Sequence, residues 1–364
     1  RRPYVKVAIV HDWLVGGGAE RVVEQLHKLY PEAPIYTSYA TKEWRDKLDD
    51  KVVTGWLQGF GKVRKFIPVL RIWWFTHLDL SDYDLVISSS GSGEARGVKV
   101  PDTTLHISYC HSPVHFYWRH YEQYLKSPGF GFFNPLARLG LRLLGRPLRK
   151  WDHKAAQRAD YIIANSTHIQ SDIRKYYGRD SVVIHPPVDI GRFNIKSSKP
   201  RHGFVTAGRQ VPYKKTELII EACNQLKLPL TVVGYGPEHK RLKRAAGPTI
   251  TMLGRASDAE MPKYFVEAEG FIMASFEDFG VTPVEAMAAG TPVIAFEAGG
   301  ALDYIKPNIN GVFFSVQSVS ALCAAVQKFE TKKFSEPIVR ESAEPFSEQA
   351  FQANFKKFIA GILK

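Results

Sequence analysis

An apolar strand followed by a glycine-rich or polar turn and an amphipathic helix recurs along this chain, and the pattern starts twice. In the first half, residues 5–10 form a continuous apolar run, Gly16 to Gly18 follow, and Val22, Val23 and Leu26 then share one helical face. Strands that alternate with helices form a parallel sheet covered on both faces. The strands predicted in this half are 5–10, 84–88, 105–109, 161–164 and 182–185.

The second half repeats this pattern after the polar segment 197–200, which suits an interdomain linker. The strands predicted there are 203–207, 230–233, 250–253, 271–274 and 293–295. The helices predicted there are 215–226, 257 to about 269, and 283–289. A chain of 364 residues is long enough for two cores. We predict an α/β fold of two Rossmann-like domains, 1–195 and 196–345, facing each other across a cleft, and a closing helix at 346–364 that packs back toward the N-terminal domain.

Two carboxylates, Glu277 and Glu285, lie on either side of a predicted strand-to-helix turn. The first follows a buried strand, at the edge where open parallel sheets bind ligands. The second is predicted in the first helical turn, beside free N–H groups that attract anions. Thr282 is predicted as the N-cap of this helix, with Pro283 at the first helical position and Gly290 just past its end. In the alternative interpretation, Thr282 and Glu285 form a capping box and have no further role.

Three further groups follow predicted strands. Arg209 and Lys214 come after the first strand of the second half, where two cations could neutralise a leaving pyrophosphate. His111 follows a strand of the first half, although a histidine in that position is more often structural than catalytic. The turn at Gly17 and Gly18 could present N–H groups to an anion. It lacks the spacing of a nicotinamide-binding fingerprint, so that cofactor is poorly supported.

The net charge of +13 is concentrated in two stretches without acidic residues. Residues 55–76 mix four basic residues with tryptophan, phenylalanine and isoleucine, and residues 126–150 carry six basic residues. Such stretches favour an anionic membrane surface, with nucleic acid or a solvated rim around buried aromatics as alternatives. No apolar run approaches the length of a membrane-spanning helix.

The residues that most often form metal sites do not show the spacing of one. The three cysteines, Cys110, Cys223 and Cys323, are far apart and are predicted to be buried structural thiols of a reducing compartment. Asp82 and Asp84 resemble a metal-binding D-x-D motif, but they precede their strand and therefore suit a turn better. We predict no metal and no cofactor.

Together these residues resemble retaining glycosyltransferases of the GT-B type, family 4, over nearly the whole chain. The similar segments are 17–21, 111–113, 165–166, 186–189, Gly208-Arg209 with Lys214, and the pair Glu277 and Glu285. Segments 11–14 and 109–113 look most like a bacterial branch of α-mannosyltransferases that builds surface polysaccharides from GDP-mannose. His115 and Asp303 depart from the common pattern of that branch, which has Arg and often Glu at these positions.

The resemblance implies a role for each residue around a nucleotide-sugar donor. Arg209 and Lys214 would hold the diphosphate, Glu285 the ribose, and Glu277 the sugar hydroxyls. His111 would contact the donor sugar. Backbone groups at Gly17, Gly18, Val281 and Thr282 would assist at the phosphates, and Arg255 and Ala256 would lie near the base. The leaving phosphate would take the proton of the acceptor, without a metal.

The expected partners follow from the same resemblance. The donor would be GDP-mannose, or alternatively a UDP-sugar carrying N-acetylglucosamine, glucose or galactose. The acceptor would be a lipid-linked or polyprenyl-diphosphate-linked saccharide. The enzyme would be cytoplasmic and would bind the inner face of the cell membrane through 55–76 and 126–150, with no nucleic acid as partner.

Three other functions compete with this one. A glycoside hydrolase also uses two carboxylates, but it has no need of Arg209 and Lys214 beside them. A nucleic-acid-binding protein would explain the charge, but not the glutamate pair. A membrane-docking protein without catalysis would bind no nucleotide.

Overall fold

The chain divides by its contacts into two units, residues 1–186 and 187–364. In this computed structural model the structure describes residues 5–61, 67–119, 121–126, 134–197 and 199–362. The predicted bounds 1–195 and 196–345, and the packing of the last helix toward the N-terminal domain, stay predictions.

The first unit is built on one parallel sheet. Its strands are β1 (Val7–His11), β2 (Ile35–Thr37), β3 (Val52–Thr54), β4 (Leu85–Ser90), β5 (Leu105–Cys110), β6 (Tyr161–Ala164) and β7 (Val182–Val183). Its helices are α1 (Gly18–Leu29), α2 (Lys42–Lys47), α3 (Pro68–Thr76), α4 (Tyr121–Lys126), α5 (Asn134–Ala156) and α6 (Thr167–Tyr177). The strand order is β3-β2-β1-β4-β5-β6-β7. Every residue of β1 and β4 is buried, as expected of central strands with both faces covered.

The second unit repeats this architecture. Its strands are β8 (Phe204–Ala207), β9 (Leu230–Val233), β10 (Ile250–Gly254), β11 (Gly270–Met273), β12 (Val293–Phe296) and β13 (Gly311–Phe314), in the parallel order β10-β9-β8-β11-β12-β13. Its helices are α7 (Thr216–Leu226), α8 (His239–Ala245), α9 (Met261–Val266), α10 (Val281–Ala288), α11 (Ala301–Tyr304), α12 (Val319–Glu330), α13 (Glu336–Glu341) and α14 (Glu348–Ile362).

The strand orders create one switch point in each sheet. Successive strands proceed toward one edge from β1 and from β8, and the chain then returns to the opposite side at β4 and at β11. Ligands of open α/β sheets bind beyond the carboxyl ends of the two strands at such a point. The segments after β1 and β4, and after β8 and β11, are therefore where sites are expected.

Most predicted elements are present, and the differences are local. The predicted strands at 5–10, 203–207 and 271–274 differ from the observed strands by one or two residues at their ends, while β2, β3 and β13 were missed. The first two have three residues each, too few to show a period. Ser257 donates from its N–H and its hydroxyl to Glu260, but the helix begins only at Met261, after this turn.

The N-cap predicted at Thr282 is wrong, and the alternative capping box fails with it. Gly280 precedes α10 at a positive φ of 88°, so the helix already begins at Val281 and Thr282 is its second residue. Glu285 lies beyond the first turn, and the N-cap residue Gly280 has no side chain with which to cap this helix. Gly290 does have the predicted left-handed conformation just past the helix, with φ 76°.

No helix in the described ranges is both long and apolar enough to cross a membrane.

Two hydroxyl residues at helix starts make a matched test of these assignments. The Ser318 hydroxyl accepts the Ala321 N–H at 3.2 Å and caps α12, whereas Thr282 lies inside α10. We expect Ser318→Ala to lower the free energy of unfolding by about 1 kcal/mol. Thr282→Ala should cost nothing measurable, because alanine has the higher helix propensity. Urea unfolding of both variants measures this, and a larger loss for Thr282→Ala would contradict the position of the helix start.

Candidate functional site

In the second unit, the segment after β8 presents two cations. Gly208 turns the chain at a φ of 151°, Arg209 follows with an exposed side chain, and a short 3-10 turn ends at Lys214. A Cβ at Gly234 would lie 2.0 Å from the Gly208 carbonyl oxygen, so only glycine lets the two loops pass this closely. The predicted pair is therefore held at the carboxyl end of β8.

Lys214 meets the first glutamate directly. Its Nζ donates to Glu277 Oε1 at 2.7 Å, and both side chains are partly buried. Glu277 lies in the loop after β11, the neighbour of β8 at the switch point. An ion pair here leaves a cation and a carboxylate at the ligand-binding edge, where an incoming anion can compete for the lysine.

Two glycines after β12 fix the backbone of that loop. The Gly300 N–H donates to the Glu277 carbonyl at 2.9 Å. A Cβ on Gly299 would lie 2.2 Å from the Glu277 carbonyl oxygen, and one on Gly300 would lie 2.3 Å from Phe279 Cα. The Glu277 loop thus packs directly against the backbone of two residues that have no side chain.

The second glutamate has a different partner, which the sequence did not suggest. Glu285 is buried in α10, and its Oε1 accepts from the Arg192 guanidinium at 3.2 Å. The other terminal nitrogen of Arg192 lies 3.1 Å from Asp258 Oδ2, in the loop after β10. Arg192 was missed because a single arginine in a turn carries no periodic signal.

A cavity of about 420 Å³ lies beside Arg209. It is lined by Arg209, Tyr235, Gly236, Pro237, His239, Lys240 and Arg255. Buried Gln210 fixes one wall, since its side-chain carbonyl is 2.7 Å from His239 Nδ1 and its amide donates to the Gly234 carbonyl. The structure therefore brings the predicted Arg209 and Arg255 to one basic cavity, large enough for part of a nucleotide.

The remaining predicted residues of this unit lie at the ends of elements. Ala256 follows β10 and packs against the core cluster. Val281 and Thr282 are the first two residues of α10, so their N–H groups belong to the unbonded first turn of that helix. Such groups attract anions, as the predicted phosphate role requires.

In the first unit, the glycine turn leads into α1. Gly17 is the N-cap and Gly18 the first helical residue, and both are exposed. The Glu20 carboxylate accepts the N–H groups of Val15 and Gly16 at 3.3 and 3.1 Å. Two N–H groups of this turn are thus already bound to a carboxylate.

His111 lies just past β5, in a chain of polar contacts. Its Nε2 is 2.8 Å from the Ser89 hydroxyl, and His11 Nδ1 is 2.8 Å from the Ser89 carbonyl oxygen. The ring of His111 lies 5.0 Å from that of Tyr109. These contacts hold the predicted catalytic histidine at the edge of the first sheet.

Asp12 organises the loop next to that histidine. Its carboxylate accepts the N–H groups of Gly91, Ser92 and Ala95 at 2.8–2.9 Å. Burial by itself raises the pKa of Asp12, but nearby His11 and these N–H groups lower the pKa below its ordinary value. Asp12 lies in segment 11–14, for which the sequence predicted no role. An acidic residue directly after a buried strand was the signal that could have identified it.

The described residues contain no group of three or more histidine, cysteine, aspartate or glutamate side chains that could hold a metal ion. The three cysteines are free and buried.

Two family descriptions match adjoining parts of the chain. "Glycosyltransferase Family 4" matches residues 16–192, and "Glycosyl transferases group 1" matches residues 189–353. The chain therefore belongs to the glycosyltransferases of group 1 and family 4. The segment 189–353 contains Arg192, Arg209, Lys214 and both glutamates.

Curated relatives of this chain are similar to it over part of their length. A Xenopus tropicalis GDP-Man:Man(3)GlcNAc(2)-PP-Dol alpha-1,2-mannosyltransferase is 31% identical, over 54% of this chain and 47% of the relative. A GDP-mannose-dependent alpha-mannosyltransferase of Mycolicibacterium smegmatis is 29% identical, over 51% of this chain and 53% of the relative. A Streptomyces bingchenggensis D-inositol 3-phosphate glycosyltransferase is 28% identical, over 42% and 41%. The chain thus spans about half the length of the relatives it matches.

Solved structures match nearly the whole fold. The lipopolysaccharide outer core galactosyltransferase WaaB superposes with a TM-score of 0.70 at 18% identity, over 98% of this chain and 99% of that one. Anabaena HepE in complex with UDP superposes with a TM-score of 0.68 at 18% identity, over 98% and 100%. The predicted GT-B fold class is confirmed.

Proposed function

We propose that this glycosyltransferase moves a sugar from a nucleotide diphosphate to a saccharide acceptor with retention of the anomeric configuration. The observation that carries the proposal is the contact between Lys214 and Glu277, with Arg209 on the same loop as the lysine. Cations and a carboxylate side by side suit a substrate that has a diphosphate at one end and sugar hydroxyls at the other.

The proposed donor rearranges this ion pair. Phosphate oxygens take the place of Glu277 as partners of Lys214, and the freed carboxylate of Glu277 accepts sugar hydroxyls. As the bond between the anomeric carbon and the phosphate oxygen breaks, Arg209 and Lys214 stabilise the negative charge on the departing diphosphate. The acceptor oxygen bonds to the anomeric carbon on the same face, and its proton passes to the leaving phosphate oxygen. Arg209 and Lys214 supply the positive charge in this scheme, so it includes no metal ion.

We propose GDP-mannose as the donor. Two relatives of this chain carry GDP-mannose or "GDP-Man" in their names, and the segment 109–113 resembles the mannosyltransferase branch. A UDP-sugar is the second candidate, since HepE has been solved with UDP and with UDP-glucose. The acceptor that we propose is a lipid-linked saccharide.

Nucleotide binding tests the donor. We expect GDP to raise the melting temperature more than UDP or ADP does, because a ligand at 100 times its dissociation constant stabilises by about 2.7 kcal/mol. A thermal-shift series with the three nucleotides measures this. A preference for UDP would indicate a UDP-sugar as the donor instead of GDP-mannose. No response to any of the three nucleotides would contradict the proposed transferase activity.

Variants of the two cations locate that binding. Arg209→Ala and Lys214→Ala should each weaken the response to GDP and lower turnover by about 30- to 1,000-fold. Lys215→Ala is the matched control, since Lys215 is an exposed neighbour of Lys214 whose backbone, not its side chain, forms the start of α7. Equal losses of binding and turnover in the control would contradict the proposed diphosphate site on this loop.

We also propose that the first unit docks on an anionic membrane. On α5, Leu136, Leu139 and Leu143 are exposed at helical spacing, with residue accessibilities of 67%, 53% and 65%. Arg142 and Arg146 are exposed on the same helix. An exposed apolar row flanked by cations suits a lipid surface with negative headgroups.

The stretch 55–76 is divided between surface and core. Trp56, Phe60 and Trp73 are exposed, and the Trp56 ring lies near both of the others, with centroid distances of 5.7 Å to Phe60 and 6.4 Å to Trp73. Trp74 and Phe75 are buried core residues. Arg71 is also buried and donates to Glu94 at 2.5 Å, so its charge is already paired. The other basic residues of this stretch lie outside the described residues. The likeness to a membrane-binding surface therefore rests here on the exposed aromatics.

Liposome co-sedimentation tests the docking. We expect binding to anionic vesicles, with loss at high salt, because each lysine or arginine near such a surface contributes about 1 kcal/mol. Arg142→Glu with Arg146→Glu should abolish this binding. The control is Lys332→Glu with Lys333→Glu, which makes the same charge change on the exposed surface of the second unit. Equal binding to neutral and anionic vesicles would contradict the proposal.

A further inference from the structure

Arg192 joins two segments that the sequence assigns to the donor. One terminal nitrogen of its guanidinium is 3.2 Å from Glu285, the predicted ribose ligand. The other is 3.1 Å from Asp258, two residues past Ala256 in the predicted base loop. A planar guanidinium with two carboxylate partners fixes the direction of both, which a flexible lysine does less well.

The position of Arg192 is itself fixed by its surroundings. It lies in the 3-10 turn Gly191–Phe193, and its backbone N–H donates to the Asp189 side chain at 3.4 Å. The neighbouring Phe193 is fully buried and stacks on Phe265, with ring centroids 5.7 Å apart. The Arg192 guanidinium lies 4.6 Å from the Phe193 ring. The turn therefore anchors the arginine on the core and directs its end at the carboxylates.

The contacts of Arg192 are not explained by their contribution to stability. Within the described part of the chain, the buried Nε of Arg192 has no hydrogen-bond partner, which costs free energy. Asp258 is 84% exposed, and an ion pair with so exposed a partner contributes little. Such a charge is better explained by what it does to Glu285, whose side chain is only 10% exposed.

We infer that Arg192 is a positioning residue for the donor site: it keeps the carboxylate of Glu285 aimed for the two ribose hydroxyls and ties the loop at Asp258 to it. The inference rests on the proposed function, since it needs a nucleotide at Glu285. It assigns Arg192 no contact with the donor. Glu285 needs this partner because a buried carboxylate without a cation is costly to orient and to keep charged.

The test is a double-mutant cycle on nucleotide affinity, by calorimetry with GDP and UDP. The wild type should bind at least one of them. Arg192→Met keeps most of the aliphatic length and should weaken that binding about 10-fold, and Arg192→Lys should restore part of the loss. In a Glu285→Gln background, Arg192→Met should add less than about 2-fold, because the carboxylate it positions is gone.

Arg340 is the matched control. It lies in the same unit, pairs with Glu336 at 2.8 Å and donates to the Ala288 carbonyl at 2.8 Å. Arg340→Met should lower the melting temperature without changing nucleotide affinity, whereas Arg192→Met should weaken nucleotide affinity whatever it does to the melting temperature. If Arg192→Met binds nucleotide as the wild type does, or if its effect is undiminished beside Glu285→Gln, the positioning role is overturned. A wild type that binds neither nucleotide overturns the proposed function as well.

Discussion

The adjacency of β8 and β11 in the second sheet determines the site. Because the two strands are parallel neighbours at the switch point, the segments that follow them lie at the same edge of the sheet. Arg209 and Lys214 follow β8, and Glu277 follows β11, so residues separated by more than sixty positions in sequence form an ion pair 2.7 Å long. Any sequence change that moved either strand would separate the cation from the carboxylate.

Glycine allows the loops at this edge to approach one another. Gly234 lets the loop after β9 pass the Gly208 carbonyl, and Gly299 and Gly300 lie directly against the Glu277 loop. These contacts leave no room for a Cβ, so the loops gain their positions from backbone contact. The site is thus held by the scaffold before a donor arrives, which lowers the cost of ordering it on binding.

The sequence predicted the parts of this site that depend on strand ends. Glu277, Arg209 and Lys214 could be placed because each follows an apolar run bounded by a glycine or polar turn. The capping box failed because the left-handed Gly280 lets α10 begin at Val281, a choice set by backbone conformation. Arg192 and Asp12 have contacts far away in sequence, with Glu285 and with the loop 91–95, and no local pattern reports such contacts. Short strands such as β3 were missed for lack of length.

The most direct test of the account is a crystal structure of the protein with whichever nucleoside diphosphate binds most tightly. The account predicts that the Lys214 Nζ leaves Glu277 and lies at about 2.7–3.0 Å from a phosphate oxygen. It also predicts that the Arg209 guanidinium contacts the same diphosphate and that Glu285 accepts both ribose hydroxyls. A diphosphate bound elsewhere, with the pair of Lys214 and Glu277 intact at its 2.7 Å separation, would contradict it.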